Sequence, residues 1–395
     1  MTQKWLSKAQ KLKKYTVSLR RDFHQHPELG FEEQRTAKIV AKELKNFGFD
    51  VHTDIAQTGV VGVLKGTKPG KTIMLRFDMD ALPIQEENLV EYASEVPGVM
   101  HACGHDGHTA IGLTTAKLLS KHIDDIEGRV ICIFQPAEEG ITGAKGAPAM
   151  IKAGLLDDYK PDSIVGVHLW NYKPFGWISL TPGPIMASID FFKINICGKG
   201  GHAAAPHENI DPLPAACELV SALQSIVSRN VPPVDSAVVS VTKIHAGESP
   251  NVTPSEVSLD GTIRAFDPQI RERVAERMIR MADGISRTYQ CSFGFELYGS
   301  NPAVINDNSL TKRILSHASK EFPDWEFDSN YRTMLSEDFA AYQEHVPGCF
   351  LLVGSSSVKK GLIEAHHSPR FDFNEDALPI AAALLVSTAV DFLSC

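Results

Sequence analysis

The chain has 395 residues, of which 43% are hydrophobic and 22% are charged, and its formal net charge is −9. This composition is typical of a globular protein and excludes disordered, collagen-like and disulfide-dense chains. The acidic balance also argues against nucleic-acid binding, which requires a basic face.

The first part of the sequence alternates helical patterns with short apolar runs. It predicts a helix over 5–25, a second from Glu32 to about Gly48, and helical stretches near 108–121 and 143–153. Strands are predicted at 60–64, 72–77, 130–134 and 163–167. Such alternation is typical of an α/β domain with a mostly parallel sheet.

The middle of the sequence follows a different order, β-α-β-β-α-β, which is typical of a ferredoxin-like α+β domain. Asp211 and Pro212 suit the N-cap and the first position of its first helix. The six elements are predicted, in order, at 188–197, 211–229, 236–245, 257–266, 267–286 and 291–297.

The α/β pattern returns with a strand at 349–353 and a closing helix at 374–393. Because the length exceeds that of one typical hydrophobic core, we expect two domains. The larger α/β domain would comprise 1–184 and 300–395, and the smaller domain, 185–299, would be inserted into it.

Cellular location is indicated by cysteine usage and by apolar stretches. No segment has the roughly 18 consecutive apolar residues of a membrane span, and the N-terminus lacks the apolar core of a secretory signal. The seven cysteines include no Cys-x-x-Cys pair. We therefore expect a cytoplasmic protein with neither a membrane nor a nucleic-acid partner.

Acidic residues and histidines follow four of the predicted strands. Ligands of an open α/β sheet bind beyond the carboxyl ends of its strands, so these side chains should meet at one edge. The residues concerned are Asp78, Asp80, Glu138, Glu139, His168, His366 and His367.

A block at 101–108, His-Ala-Cys-Gly-His-Asp-Gly-His, adds a dense set of potential ligands just before a predicted helix. Thiolate, imidazole and carboxylate groups together suit Zn²⁺ and similar divalent ions. Adjacent carboxylates such as Glu138 and Glu139 diverge and cannot do the same work. One can ligate metal while the other acts as general base toward a water.

Five sequence blocks together resemble the metal-dependent aminoacylase/carboxypeptidase superfamily. Within it, they are most similar to the branch of hippurate hydrolases, bacterial N-acyl-amino-acid amidohydrolases and plant auxin-conjugate hydrolases. The likeness covers nearly the whole chain in the same order. The blocks are Asp-Met-Asp-Ala-Leu-Pro at 78–83, Met-His-Ala-Cys-Gly-His-Asp-Gly-His at 100–108, Gln-Pro-Ala-Glu-Glu-Gly at 135–140, Gly-Lys-Gly-Gly-His-Ala at 198–203 and His-Ser-Pro at 367–369.

The resemblance implies a metallopeptidase-like larger domain that binds two divalent ions, with Zn, Mn, Co and Ni all open. Glu138 would be the catalytic base, and Asp80 would orient a ligand imidazole. His367, rather than His366, is assigned as a ligand because it directly precedes Ser-Pro. The implied ligands are Cys103, His105, Glu139, His168 and His367.

Two further features follow from the resemblance. Other superfamily members have histidine where this chain has Asp78, a departure shared by the cysteine-containing branch. The smaller domain would mediate a homodimer or homotetramer and cap the site. In it, His202 would bind the substrate carbonyl or its oxyanion, and Asn251 and Arg264 would hold a free substrate carboxylate.

These features predict an amidohydrolase that cleaves N-acyl-L-amino acids of the hippurate or N-acetyl type, with Glu138 as base for a metal-activated water. Three alternatives remain open. The same site could serve a carboxypeptidase or dipeptidase. Cys103 could be the nucleophile of a thiol hydrolase. The protein could also be a non-catalytic regulator that binds metal or amino acids.

Overall fold

The computed structural model describes residues 4–140 and 145–394, which group into two compact units. Unit 1 is drawn from Met1–Gly183, Ile305–Tyr331 and Asp338–Cys395. Unit 2 is drawn from Pro184–Val304 and the short segment Arg332–Glu337, whose membership the sequence did not indicate.

The α-helices of the described residues are, in chain order, α1 (Lys4–Lys11), α2 (Lys13–Gln25), α3 (Gln34–Asn46), α4 (His105–Ser120), α5 (Gly146–Lys152), α6 (Leu155–Tyr159), α7 (Pro212–Asn230), α8 (Pro268–Thr288), α9 (Asn308–Glu321), α10 (Ala340–Gln343) and α11 (Ala377–Leu393).

The strands of the described residues are β1 (Asp50–Ile55), β2 (Gly59–Lys65), β3 (Lys68–Asp78), β4 (Glu127–Gln135), β5 (Ser163–Pro174), β6 (Trp177–Ser179), β7 (Gly183–Met186), β8 (Ile189–Cys197), β9 (Gly201–His202), β10 (Ala237–Ala246), β11 (Val252–Thr253), β12 (Glu256–Ala265), β13 (Ser292–Asn301), β14 (Val304–Asn306), β15 (Glu326–Asp328) and β16 (Gly348–Ser356).

Unit 1 contains an eight-stranded sheet in the order β1-β2-β4-β3-β5-β16-β6-β15. Its central strands β4, β3, β5 and β16 run parallel to one another, so their carboxyl ends reach the same edge. Helices α4 and α11 pack against these strands, and nearly every residue of both is buried. The mostly parallel α/β architecture expected from the sequence is confirmed.

Unit 2 contains a four-stranded antiparallel sheet in the order β10-β12-β8-β13, with α7 and α8 packed on it. In chain order this is the β-α-β-β-α-β arrangement that the sequence predicted for a ferredoxin-like domain. Asp211 caps α7 by accepting a hydrogen bond from the N–H of Leu213 at 3.0 Å, and Pro212 is the first helical residue.

Several elements differ from their predicted limits. The helix expected over 5–25 is two helices, α1 and α2, which separate at Leu12. Helix α4 begins at His105 rather than near 108, directly after Gly104, whose φ of +91° suits glycine. Strand β5 does not end at Val167, just before His168, but continues to Pro174, because it stays paired with β16. Part of the helix expected near 143–153 lies outside the described residues.

Candidate metal centre

The predicted ligands of the larger domain all lie at or near the carboxyl edge of the unit 1 sheet. Cys103 directly precedes the Gly104 turn into α4, and His105 is the first residue of that helix. Glu139 follows β4, and His168 lies within β5. His367 lies in the loop between β16 and α11, where its φ is +67°.

The structure brings these side chains into overlapping groups whose ligand atoms all lie within 4.8 Å of one another. One group joins Cys103, His105 and His168, and all three residues are buried. The Sγ atom of Cys103 lies 3.5 Å from Nε2 of His168. A thiol and two imidazoles at this separation have the chemistry and spacing of a zinc-type site.

Glu139 extends the cluster toward His367. Cys103, Glu139 and His367 form a second group, and His105, Glu138 and Glu139 form a third. Nε2 of His367 lies 3.0 Å from Oε1 of Glu139. Because Cys103, His105 and Glu139 each belong to two of these three groups, the five predicted ligands and Glu138 form one continuous cluster.

Two of the predicted ligand imidazoles are oriented by hydrogen bonds from their Nδ1 atoms. Nδ1 of His105 donates to the carbonyl of Asp80 at 2.9 Å, and Nδ1 of His168 donates to the carbonyl of Leu169 at 2.6 Å. Nε2 of His105 is buried and has no hydrogen-bond partner among the described residues. A buried nitrogen without a partner is costly, so a bound cation at this atom would fit the arrangement.

Asp80 occupies the position expected of a residue that orients ligands. Its Oδ1 lies 3.3 Å from Nδ1 of His105, and its Oδ2 accepts the backbone N–H of Glu139 at 2.9 Å. One carboxylate therefore contacts both the imidazole of one predicted ligand, His105, and the backbone of another, Glu139.

The electrostatics of the cluster argue against a nucleophilic role for Cys103. Burial and the nearby carboxylate of Glu139 raise the pKa of the Cys103 thiol well above its usual range. Reactive cysteines have the opposite property, a lowered pKa in an electropositive and accessible position. Burial alone would raise the pKa of Glu139, but the hydrogen bond to His367 and the neighbouring imidazole of His105 lower it to about 2.

Glu138 is buried, with 8% of its surface exposed, and its Oε1 accepts the backbone N–H of Asp338 at 3.3 Å. It groups with His105 and Glu139 but with neither Cys103 nor His367. The carboxylates of Glu138 and Glu139 therefore have different neighbours, as expected for adjacent side chains that diverge.

His366 and His367 have different partners. Nε2 of His366 accepts the backbone N–H of Asn171 at 3.1 Å, and its ring packs among Trp170, Tyr172 and Phe371. The Nε2 of His367 instead faces Glu139. This placement favours His367 as the ligand.

Substituting each histidine in turn tests that assignment. We expect His367→Ala to weaken metal binding by at least about tenfold, since even residues that only orient ligands change affinity by that factor. His366→Phe keeps the ring packing and should leave metal affinity near that of the wild type. Chelator competition measures both constants. A larger loss in His366→Phe than in His367→Ala would reverse the assignment.

The sequence did not reveal that His108 has a supporting role. Its Nδ1 lies 2.6 Å from Oδ1 of Asp78, and its Nε2 accepts the N–H of Leu169 at 2.9 Å. Both nitrogens are therefore used within the protein, although Asp78, His105 and His108 lie close enough to form a ligand group. His101, from the same block, is buried but belongs to none of the potential ligand groups of the described residues.

The sequence also did not reveal a buried ion-pair network centred on Arg76. Arg76 binds Oδ2 of Asp78 at 2.6 Å, Oδ1 of Asp338 at 2.8 Å and Oε1 of Gln135 at 2.9 Å. Asp338 in turn supplies the N–H that Glu138 accepts. These residues are far apart in the sequence, so neither their spacing nor the composition predicts that they form pairs. The contacts exist only in the folded chain.

The three predicted substrate-binding residues lie in unit 2. His202 is exposed in β9 and pairs with Val252 of β11, and Asn251 directly precedes that strand. Arg264 lies in β12 and is partly buried, which lowers its pKa. Its Nη1 donates to the carbonyl of Met334 at 3.4 Å, and no carboxylate of the described residues lies within ion-pair distance.

Comparison with known proteins identifies the family. A sequence profile described as peptidase family M20/M25/M40 matches residues 74–391. The chain belongs to this family. The resemblance drawn from the sequence blocks is therefore confirmed, and the chain is a hydrolase of amide bonds.

Individual relatives in the M20 family are similar over their whole length. N-acetylcysteine deacetylase of Bacillus subtilis is 40% identical, covering 95% of this chain and 96% of the relative. Thermostable carboxypeptidase 2 of Saccharolobus solfataricus is 37% identical, covering 99% of each. The crystal structure of the Bacillus subtilis YXEP protein, described as a dinuclear metal-binding peptidase, has a TM-score of 0.85 at 36% identity and covers 98% of this chain and 99% of its own.

The potential ligand groups of unit 1 are consistent with the dinuclear metal binding described for the YXEP protein. In the part of the chain that the structure describes, no helix is long and apolar enough to span a membrane.

Proposed function

We propose that the protein hydrolyses the amide bond of N-acyl-L-amino acids of the N-acetyl or hippurate type and binds two divalent cations. The observation that carries the proposal is the position of Glu138, a buried carboxylate beside a cluster of thiol, imidazole and carboxylate ligands. The 40% identity to a deacetylase of an N-acetyl amino acid supports the choice of substrate class.

In this proposal Cys103, His105, Glu139, His168 and His367 hold the two cations, and Zn, Mn, Co and Ni all suit such a mixed set. Bound cations supply positive charge that makes water more acidic and the acyl carbonyl more electrophilic. Asp80 keeps His105 and Glu139 aimed at the cations. A thiol ligand requires reducing conditions, so the cytoplasm remains the expected location.

Glu138 performs the proton transfers. It accepts a proton from the attacking water and then donates that proton to the leaving amino group, whose release breaks the amide bond. The N–H of Asp338 fixes one of its carboxylate oxygens during both steps. His202 would donate to the oxygen on which negative charge develops.

Arg264 and Asn251 would bind the free carboxylate of the amino acid product half. A guanidinium that has no carboxylate partner in the described residues is suited to an anionic ligand. We also expect the protein to act as a homodimer or homotetramer through residues 185–299.

Substituting Arg264 by methionine tests carboxylate recognition. The change should lower kcat/KM for N-acetyl amino acids by about 10- to 150-fold, the value of a charged hydrogen bond, mainly through KM. The corresponding amides, which lack the carboxylate, should be hydrolysed equally by both enzymes. Arg332→Met, which removes an exposed guanidinium, is the matched control. An unchanged KM in Arg264→Met would rule out this role.

A carboxypeptidase function is the second candidate, because a relative 37% identical over 99% of the chain is a carboxypeptidase. A panel of N-acetyl, N-benzoyl and N-succinyl amino acids against dipeptides and longer peptides separates the two. The enzyme should be assayed after stripping and reloading with each candidate metal. Higher kcat/KM on peptides than on every N-acyl amino acid would favour the carboxypeptidase.

A further inference from the structure

The turn that carries Glu138 and Glu139 has a left-handed residue at its centre. Ala137 has a φ of +49°, a conformation that residues with a Cβ adopt only when the surrounding structure imposes it. Because Ala137 directly precedes the two glutamates, its backbone angles set the directions of both side chains. Something must therefore hold this residue in place.

Glu33 supplies part of that restraint from the N-terminal region. Its side chain is fully buried, and its Oε1 accepts the backbone N–H of Ala137 at 2.9 Å. Its other oxygen, Oε2, accepts the hydroxyl of Thr58 at 2.5 Å. On the other side, the N–H of Gly146 donates to the Ala137 carbonyl at 2.9 Å.

Gly30 packs closely against the same residue, Ala137. A Cβ added at position 30 would lie 2.9 Å from both Cα and Cβ of Ala137, closer than real Cβ contacts allow. Only a glycine can bring the chain this near to the turn. The segment 30–33 therefore both packs against Ala137 and binds its N–H.

We propose that Glu33 and Gly30 form a positioning clamp that holds the Ala137 turn so that Glu139 points at the cations and Glu138 at the substrate. The clamp lies outside residues 74–391, the stretch that matches the family profile. The proposal rests on the roles assigned to Glu138 and Glu139. It adds that their geometry depends on a segment more than 100 residues earlier in the chain, since 138 − 33 = 105.

Three substitutions around Glu33 test the clamp. Glu33→Met keeps the length but removes the acceptor, so we expect kcat to fall by at least about 30-fold with KM little changed. Glu33→Gln can still accept from Ala137 and donate to Thr58, and should restore most of the activity. Thr58→Val removes only the other partner of Glu33 and serves as the matched control for stability.

Metal affinity, measured by chelator competition, provides a readout that needs no substrate. Glu33→Met should weaken it by at least about tenfold, because Glu139 is misdirected, whereas Thr58→Val should not. Gly30→Ala approaches the turn from the other side and should reproduce both losses even if Glu33→Met does not fold. Gly284→Ala, with no atom within 4 Å of the added Cβ, is its control.

The outcomes separate this proposal from the proposed function. Wild-type kcat and metal affinity in both Glu33→Met and Gly30→Ala would overturn the clamp, and so would equal losses in Glu33→Met and Thr58→Val. Failure of the wild-type enzyme to hydrolyse any N-acyl amino acid would instead refute the function, leaving the metal-affinity result to be judged alone.

Discussion

Glu138→Gln should reduce kcat by about 10²- to 10⁴-fold, the contribution of general acid–base catalysis. Glutamine has nearly the same shape and can still accept the N–H of Asp338, but it cannot take a proton from water. Because Glu138 is not one of the five proposed ligands, metal content should stay at the wild-type level. Steady-state kinetics and elemental analysis of the same preparation measure both quantities.

The control for Glu138→Gln is Glu127→Gln, which neutralises an exposed carboxylate paired with Lys68 and should be silent. Loss of metal together with activity would make Glu138 a ligand instead of a base. Full activity in Glu138→Gln would require another base. A wild type that binds metal but hydrolyses no amide would instead favour the binding regulator.

Cys103→Ala should abolish activity and lower metal content, because it removes a proposed ligand that two of the potential ligand groups share. Cys103→Asp returns an anionic ligand and should recover part of both. A thiol hydrolase makes different predictions, since aspartate cannot replace the nucleophile and chelators should not inhibit the wild type. Activity and metal stoichiometry are to be measured for each variant.

Cys217→Ala is the matched control for these cysteine variants, because Cys217 is an exposed free thiol in unit 2. It should have wild-type activity and metal content. Complete inactivity of Cys103→Asp despite full metal loading, with a chelator-resistant wild type, would support the thiol mechanism.

Much of the fold follows from patterns that act over short distances. The alternation of apolar strands with helices predicts the parallel centre of the unit 1 sheet, and the six-element order predicts the unit 2 sheet. Helix α9 was not predicted. Asp307 caps it by accepting a hydrogen bond from the N–H of Leu310 at 2.7 Å, and this aspartate is a sequence signal that could have indicated the helix. The end of β5 was wrongly predicted at Val167, because a potential ligand histidine was expected after a strand and not within one.

The candidate site was predictable to the extent that ligands have characteristic chemistry. Cys103, His105 and Glu139 have side chains of the types that bind metals, and the predicted strand ends indicate where they meet. The residues that hold them could not be found in this way. Nothing in the sequence distinguishes Arg76, Asp338 and Glu33 from other charged residues. In the folded chain Arg76 pairs with Asp338, and Glu33 accepts the N–H of Ala137, although these partners are far apart in the sequence.

Anomalous diffraction from crystals of the metal-loaded, active enzyme tests the central claim most directly. Data collected at the absorption edge of the bound metal should give two peaks in unit 1, each within about 2.0–2.5 Å of its ligand atoms. The ligands should be Cys103, His105, Glu139, His168 and His367, with Glu138 beside the peaks but outside ligand distance. Fully active crystals with no peak at this cluster, or with metal bound elsewhere, would contradict the account.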